Sequence, residues 1–471
     1  MSISKDEKRL VAELAKLGGG LDASSDLTFE GKKYIAPETS DVVRARKYYE
    51  RKEEELMSPF SFSRVFPFRP WDGAHAFKAV CEKYFGGAIG EATQSFFGSS
   101  PPEMIEIDTG WRERDTVPWG KVSIPALGED TEIYLSSSGA DFSIYAEGLK
   151  KDEPAIRGLF KLVEQELMEN SIYRGQAISL DDRGRIAFEN PNAVNRDEVV
   201  YSAETLAALD AELWWMIRNT EEAKADGIDM KRTVLLEGPY GTGKTIATNL
   251  TASECVQAGW TCIVLRPGTN LNDGLNLAKQ YGPAVLIIED IDTSGQQDSM
   301  GLSNLLDVFD GFSTKDSEIM VLATTNHADR IPKGMLRPGR ISSIVHVGPI
   351  DMAGMRKFAE IVIPDTLLDP EDVDWPKVWE SFKDYLPAFI KEGMTKALLY
   401  ARARGADTVG TDDLCLAGDS LRKQWDLMQD ADEGLVAPGL VPELSKLVSN
   451  VINGTEILDI DGDYEGELKA S

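Results

Sequence analysis

The sequence is poor in the residues that metal centres and disulfide frameworks need. It has four cysteines and three histidines among 471 residues, and neither set has the spacing of a metal-ligand group. The cysteines are expected to be reduced, mostly buried thiols. No apolar run approaches the ~20 residues that span a bilayer, and the charged N-terminal stretch lacks the apolar core of a signal peptide. These absences predict a cytoplasmic protein without a membrane partner.

Positive charge is also scarce. The chain has 50 lysines and arginines against 79 aspartates and glutamates, which gives a formal net charge of -29. A protein that grips DNA or RNA over a large surface needs cationic contacts with phosphates. The charge therefore argues against broad nucleic-acid binding, and it is typical of an acidic surface that keeps a large assembly in solution.

The chain is long enough for about three domains. Its pattern is mostly helical over 41–98, then β-rich, and "QAISL" at 176–180 indicates one more strand of that region. From about residue 200, strands alternate with helices, which predicts an α/β unit with a parallel sheet. The expected divisions are a mobile arm (1–40), an N-terminal α+β domain that binds a client or partner (41–195), an α/β nucleotide-binding domain (196–350), a helical lid (351–450) and an acidic, disordered tail (451–471).

A glycine-rich motif lies between a predicted strand and a predicted helix. "GPYGTGKT" matches G-x-x-x-x-G-K-[ST] in the strand–loop–helix context that this motif requires. Glycines let the backbone N–H groups turn inward toward phosphate oxygens, and the helix N-terminus favours negative charge. Lys244 would reach the β- and γ-phosphates, and Thr245 would hold Mg²⁺. The predicted nucleotide-binding residues are Gly238, Pro239, Tyr240, Gly241, Thr242, Gly243, Lys244, Thr245 and Ile246.

Two carboxylates end a buried strand about forty residues downstream. In "AVLIIEDID", Glu289 and Asp290 follow an unbroken apolar run. Ligands bind at the carboxyl ends of parallel strands, so these acids are candidates to hold a metal and to activate water. An acidic strand end that merely faces solvent is the alternative.

These motifs resemble the AAA family of ATPases over roughly residues 200–420. The resemblance rests on "LLEGPYGTGKT", "LIIEDID", "LSNLLDVFDGF", "VLATTNHADRIPKGMLRPGR" and the lid segment "YLPAFIKEGMTKALLYARARG". It implies a P-loop NTPase core of the AAA+ type with a helical lid, and an enzyme that hydrolyses ATP with Mg²⁺. The Glu-Asp order, "TTNH" and a short segment before the acidic strand look like the subgroup that contains the mitochondrial Rieske-protein translocase.

The resemblance also assigns roles to single residues. It places Glu289 with Thr245 on the Mg²⁺ side and makes Asp290 the water-polarising acid. Asn326 matches the sensor that orients the attacking water. Arg337 and Arg340, in "LRPGR", match arginine fingers that reach a neighbouring subunit's nucleotide. A finger that acts in trans implies a ring of identical subunits, most often six, with seven as the alternative.

Two departures from the family bear on function. Asp290 is one methylene shorter than the usual glutamate, a loss of roughly 1.5 Å of reach, so the backbone must bring it closer or turnover will be slow. Only residues 266–283 separate two predicted strands, without an aromatic before Tyr281, which argues against a peptide-threading loop. The leading prediction is a ring ATPase that remodels or assembles a protein client. The alternatives are an ATP-gated scaffold with little turnover and, less favoured, a DNA-handling motor.

Overall fold

The computed structural model describes residues 27–29, 32–34, 40–87, 94–95, 98–99, 103–128, 130–291, 318–328, 331, 334 and 340–432. These residues form an N-terminal α+β unit, an α/β unit with a seven-stranded sheet, and a C-terminal helical unit. The tail expected to be disordered, 451–471, lies outside the described residues. Within the predicted arm, 1–40, the structure describes two short strands and Ser40.

The N-terminal unit is a five-stranded antiparallel sheet with two helices packed on one face. The sheet order is β3-β9-β8-β7-β6. Buried side chains of the strands pack with apolar side chains of the helices in one hydrophobic cluster. This is expected where helices cover one face of a sheet. In chain order its elements are β1 (Leu27–Phe29), β2 (Lys32–Tyr34), α1 (Ser40–Leu56), β3 (Pro59–Phe66), α2 (Pro70–Phe85), β4 (Gln94–Ser95), β5 (Gly98–Ser99), β6 (Glu103–Gly110), β7 (Glu113–Val122), β8 (Glu132–Ser138), β9 (Asp141–Leu149) and α3 (Glu153–Glu169).

The expectation of a mostly helical stretch over 41–98 is wrong in its middle. β3 pairs along its whole length with β9, and its burial alternates with a period of two. Phe60 and Phe62 lie on one side of the strand, and serines lie on the other. This alternation is typical of a strand, and the strand lies between two helices in the sequence. The second helix also ends early, because Gly86 adopts a left-handed conformation (φ 69°) that terminates it.

The α/β unit has a seven-stranded sheet in the order β11-β10-β13-β14-β15-β12-β16, parallel except for β11. This arrangement confirms the predicted α/β class. Its elements are β10 (Ala177–Leu180), β11 (Ile186–Phe188), α4 (Ala203–Leu209), α5 (Trp215–Arg218), α6 (Thr220–Ala225), β12 (Arg232–Glu237), α7 (Lys244–Gln257), β13 (Thr261–Leu265), α8 (Leu271–Gln280), β14 (Ala284–Ile288), β15 (Ile319–Thr325) and β16 (Ser343–His346).

The strand predicted at "QAISL" joins this sheet instead of the N-terminal one. β10 runs parallel to β13 from Ala177↔Cys262 to Leu180↔Leu265, and all four of its residues are buried. A continuously buried strand is the pattern of a parallel sheet covered on both faces. Residues 177–188 thus belong to the α/β sheet, although they precede the boundary expected at 195.

The predicted lid region is helical where the structure describes it. Its elements are α9 (Met352–Val362), α10 (Trp375–Phe382), α11 (Pro387–Ala403) and α12 (Thr411–Asp432), packed around their own apolar core. Pro387 occupies the first turn of α11, where its missing N–H costs no helical hydrogen bond. Within the described ranges, no helix combines the length and apolar character needed to cross a membrane.

The N-terminal unit is fused to the α/β sheet through a buried polar contact. Tyr281, just before β14, is fully buried between the rings of Phe68 and Tyr173. Its hydroxyl accepts a hydrogen bond from the Arg69 N–H at 3.2 Å. Nearby, the carboxylate of Asp72 accepts hydrogen bonds from the Ser171 hydroxyl and the backbone N–H of residue 172. One continuous core therefore joins both units.

This contact predicts a pH effect on stability. Burial raises the pKa of Asp72 to about 6, and its hydrogen bonds only partly oppose that rise. Between the unfolded pKa of about 3.9 and pH 6 the folded protein retains a proton that the unfolded chain has lost, so Asp72 costs stability progressively as pH rises through this window. At ~1.4 kcal/mol per pKa unit, the cost above pH 6 is about 2–3 kcal/mol.

We therefore expect the stability of Asp72→Asn, relative to wild type, to increase by about 2–3 kcal/mol between pH 4 and pH 7. Urea denaturation at a series of pH values measures this difference. Asp226→Asn, which makes the same substitution at an exposed aspartate, is the control. A constant difference for Asp72→Asn would contradict the assignment of the raised pKa to Asp72.

Candidate functional site

Three strands of the parallel sheet end at the same edge and bring the motifs together. In the parallel register, Glu237 of β12 pairs with Thr325 of β15, and Ile288 of β14 pairs with Ala323. The glycine loop, the acid pair and Asn326 follow directly on these three strand ends. The hydrophobic runs that form the strands therefore position the three motifs side by side.

The glycine loop has the backbone that its sequence predicts. Gly241 (φ 83°) and Gly243 (φ 102°) lie in the left-handed region, which glycine adopts without steric cost. At Gly238 a side chain is excluded by contact, because a Cβ atom there would lie 2.2 Å from the carbonyl oxygen of Val347. The loop then enters α7 at Lys244, so the helix N-terminus faces the site.

Lys244 is nearly buried, with 7% of its surface exposed. Its Nζ donates hydrogen bonds to the carbonyl oxygens of Gly238 (2.6 Å) and Pro239 (2.8 Å). The loop thus folds around the ammonium group of its own lysine. This concentrates one positive charge beside the backbone N–H groups of the loop and makes the site suitable for an anion.

The two acids are held in different ways. The Oε1 atom of Glu289 lies 3.0 Å from the Thr248 hydroxyl of α7. Asp290 adopts a left-handed backbone (φ 49°), which aspartate tolerates better than most residues, and its N–H donates to the Thr324 hydroxyl at 2.9 Å. Strained backbone of this kind costs on the order of 1 kcal/mol and clusters at functional sites.

Asp290 and Asn326 form a direct pair. The Nδ2 group of Asn326 donates a hydrogen bond of 2.9 Å to Oδ1 of Asp290. The amide therefore fixes the orientation of the carboxylate across the gap between β14 and β15. The pair places a carboxylate and an amide side by side in the lining of the cavity.

A cavity of about 360 Å³ lies in front of these groups. The loop, the acid pair and Asn326 line one side, and the lid closes the other through Pro387, Ala388 and Lys391. The Ala388 N–H donates to the Gly241 carbonyl at 3.0 Å, so the lid contacts the glycine loop directly. Concave sites of this volume with a few convergent polar groups are typical of small-ligand sites.

The structure brings together most of the residues that the sequence singled out. Those that line the cavity are Tyr240, Gly241, Thr242, Gly243, Lys244, Thr245, Ile246, Glu289, Asp290 and Asn326. Gly238 and Pro239 contribute carbonyl groups behind the lysine. Arg340 is not among the described residues that line the cavity. Its Nη1 donates a hydrogen bond of 2.8 Å to the Gly334 carbonyl. Arg337 lies outside the described residues.

Several residues of the site carry no motif that sequence analysis could detect. Val200, Phe358 and Lys391 line the cavity from segments distant in sequence. The Tyr201 hydroxyl donates to the Gly243 carbonyl at 2.6 Å and supports the loop from behind. Val200, Phe358 and Tyr201 read in sequence as ordinary core positions, and Lys391 as a charge on a helix surface. Only the three-dimensional fold identifies them.

Comparisons with known proteins agree with this geometry. Residues 234–349 match the model of the AAA family, the "ATPase family associated with various cellular activities". The chain therefore contains an AAA ATPase domain with a P-loop core. The matched segment includes the glycine loop, the acid pair, Asn326 and the "LRPGR" segment.

The similarity to individual relatives covers more of the chain than that segment. The chain is 27% identical over 244 residues to the ATP-dependent zinc metalloprotease FtsH 1 of Petrotoga mobilis, covering 47% of this chain and 37% of the relative. It is 24% identical over 336 residues to the proteasome-activating nucleotidase of Methanococcus vannielii, covering 66% and 79%. An FtsH of Synechococcus is 28% identical over 407 residues, covering 73% and 63%. The chain spans about a third of the length of the first FtsH-type relatives.

Proposed function

We propose that the AAA ATPase domain binds ATP in this cavity and hydrolyses it at the boundary between copies of the chain. The observation that carries the proposal is the convergence of Lys244, Asp290 and Asn326 on one cavity at the carboxyl edge of a parallel sheet. The glycine loop would hold the α- and β-phosphates through its N–H groups. Lys244 would exchange its bonds to Gly238 and Pro239 for bonds to the β- and γ-phosphates.

The donor chemistry of the cavity suits Mg²⁺. Thr245 and Glu289 both line it and would supply a hydroxyl and a carboxylate oxygen, the hard ligands that this ion prefers. Phosphate oxygens and water would complete its coordination. When bound, the ion would neutralise charge on the phosphates. The remaining chemistry falls to the side chains of the chain itself.

Asp290 would act as the general base. Its carboxylate would orient a water molecule toward the γ-phosphate and accept a proton from it, while the Asn326 amide holds the carboxylate in place. We propose that the left-handed backbone of Asp290, where an extended strand end would be expected, compensates for the shorter reach of aspartate. This support favours turnover over the alternative of an ATP-gated scaffold.

The ring is inferred from the arginines. The described guanidinium of Arg340 is bonded to the Gly334 carbonyl and does not belong to the lining of its own cavity. In a heterologous head-to-tail assembly, the same group on a neighbour could reach the cavity and stabilise charge on the γ-phosphate. We propose that Arg340 and Arg337 act in trans on the nucleotide of the neighbouring subunit. We also propose that the chain forms a homo-oligomeric ring, most often of six subunits.

The work of the ring would be the remodelling or assembly of a protein client. Two of the relatives, an ATP-dependent zinc metalloprotease and a proteasome-activating nucleotidase, connect this type of domain with proteolysis. The N-terminal unit would bind the client, and its fusion to the sheet through Tyr281 would transmit force. The likeness to the Rieske-translocase subgroup is part of this proposal, and it rests on the Glu-Asp order, "TTNH" and the short segment before the acidic strand. A cytoplasmic location is also proposed.

The proposal is tested by Asp290→Asn. The amide keeps the shape of the side chain but cannot accept the proton, so steady-state phosphate release should fall about 100-fold or more while ATP affinity stays close to wild type. Asp273→Asn, on an exposed turn of α8, is the matched control. If Asp290→Asn releases phosphate at the wild-type rate, the base is elsewhere. If wild-type protein binds ATP without measurable release, the scaffold alternative is favoured.

A further inference from the structure

Glu289 poses a geometric problem that Asp290 does not. In the proposed site it stands on the metal side, where a glutamate has one more rotatable bond than the aspartate that the family usually carries. The longer side chain places its carboxylate at the metal position only in certain rotamers. Ordering a free glutamate into one of them costs up to about 1.5–2 kcal/mol of rotamer entropy. The structure shows what holds it.

The group that holds Glu289 is the hydroxyl of Thr248. Thr248 lies in the first turns of α7, on the same helix as Thr245, and is 3% exposed. Its Oγ1 is 3.0 Å from Oε1 of Glu289 and 2.9 Å from the Thr245 carbonyl oxygen. Both of these oxygens are acceptors, so the single hydroxyl proton is shared between the acid and the helix turn that carries the other predicted Mg²⁺ ligand.

We propose that Thr248 is a positioning residue that adapts the site to a glutamate at the metal position. By engaging Oε1 it would fix the rotamer of Glu289, which lines the cavity together with Thr245. This inference rests on the proposed function, since it concerns the magnesium nucleotide of the same site. Partners of this kind, which orient a ligand without touching the metal, typically contribute about 10- to 100-fold in metal affinity.

A purely structural role for the hydroxyl is the competing explanation. Threonine in a helix often bonds to a carbonyl three or four residues earlier, as Thr248 does to Thr245 and Thr251 does to Ala247. In that case its loss would lower the stability of the fold but leave the response to Mg²⁺ unchanged. The two roles therefore differ in a binding measurement that does not require turnover.

The experiment compares nucleotide affinity with Mg²⁺ and with EDTA, by calorimetry with a non-hydrolysable ATP analogue. Thr248→Val keeps the shape of the side chain and removes the hydroxyl. It should bind the analogue in EDTA like wild type, and it should lose about tenfold or more of the increase in affinity that Mg²⁺ provides. Thr248→Ser retains the hydroxyl and should restore most of that increase. Thr251→Val, a buried threonine on the same helix, should alter melting temperature only.

A second variant tests the pairing of Thr248 with the longer acid. Glu289→Asp no longer reaches the hydroxyl, so adding Thr248→Val to it should cost much less than adding Thr248→Val to wild type. Equal Mg²⁺ enhancement in wild type and Thr248→Val would overturn the positioning role and leave the proposed function intact. If wild type itself shows no Mg²⁺ enhancement, both the positioning role and the proposed site fail. If Thr248→Val does not fold, Thr248→Ala and the Glu289→Asp pair give the same comparison.

Discussion

Lys244→Ala is expected to lose at least about 100-fold in ATP affinity. Hydrogen bonds from an ammonium to a charged acceptor are worth about 1.5–3 kcal/mol each, and two such bonds to phosphate oxygens exceed the ~2.8 kcal/mol that a 100-fold change represents. Lys244 is placed to make them, because it is nearly buried at the base of the glycine loop and already bonded to two carbonyl oxygens there. Calorimetric titration with ATP measures the change.

The same substitution leaves those two carbonyl groups without their donor, so some loss of stability is expected beside the loss of binding. Lys244→Met retains the apolar stem and separates the two effects, since it should keep more stability and still lose the affinity. Lys391→Met is the matched control, because this lysine lines the cavity from the exposed side of the lid. Its effect should be distinctly smaller. ATP affinity at the wild-type level in both Lys244 variants would refute the phosphate-loop assignment.

Arg340→Ala is expected to lower turnover by about 100-fold or more with little change in ATP affinity. An arginine supplied to a γ-phosphate stabilises charge that develops in the transition state, and such fingers contribute about 10³-fold or more. An interaction made only in the transition state lowers the turnover number without changing ground-state binding. Phosphate-release kinetics at saturating ATP and calorimetry together measure both quantities.

The control is Arg356→Ala in α9, an exposed arginine that pairs with Glu360. Arg356→Ala removes the same charge from a surface that we do not propose as a subunit boundary. The turnover of this variant should match that of wild type. A turnover of Arg340→Ala equal to that of Arg356→Ala would mean that Arg340 has no part in the reaction.

The strands of the α/β sheet could be predicted well from sequence because each is a short apolar run with a clear end. "AVLII" and "IMVLATT" correspond to β14 and β15 without a shift. The glycine loop was predictable for a different reason, namely that its residue types are dictated by backbone conformation, as at Gly241 and Gly243. Both the strands and the glycine loop are determined by residues that are adjacent in sequence, so the local sequence is sufficient to predict them.

Features that depend on distant partners were not accessible in this way. Nothing in "QAISL" indicates that β10 pairs with β13 instead of β9, because strand partners are chosen by tertiary packing. The Thr248–Glu289 contact joins residues 41 positions apart and follows from the packing of α7 on the sheet. Phe358 and Lys391 likewise line the cavity only because the helical unit packs against the glycine loop in the folded chain.

The central claim, a site shared between two copies of the chain, is tested most directly by mixing two inactive variants. Lys244→Ala lacks a working phosphate loop but keeps Arg340, and Arg340→Ala has the opposite defect. In equimolar random rings about a quarter of the boundaries would join an intact loop to an intact arginine. We expect phosphate release from the mixture at a substantial fraction of the wild-type rate, although each variant alone is inactive. A mixture as inactive as its components at every ratio, with ring formation verified by sedimentation, would contradict it.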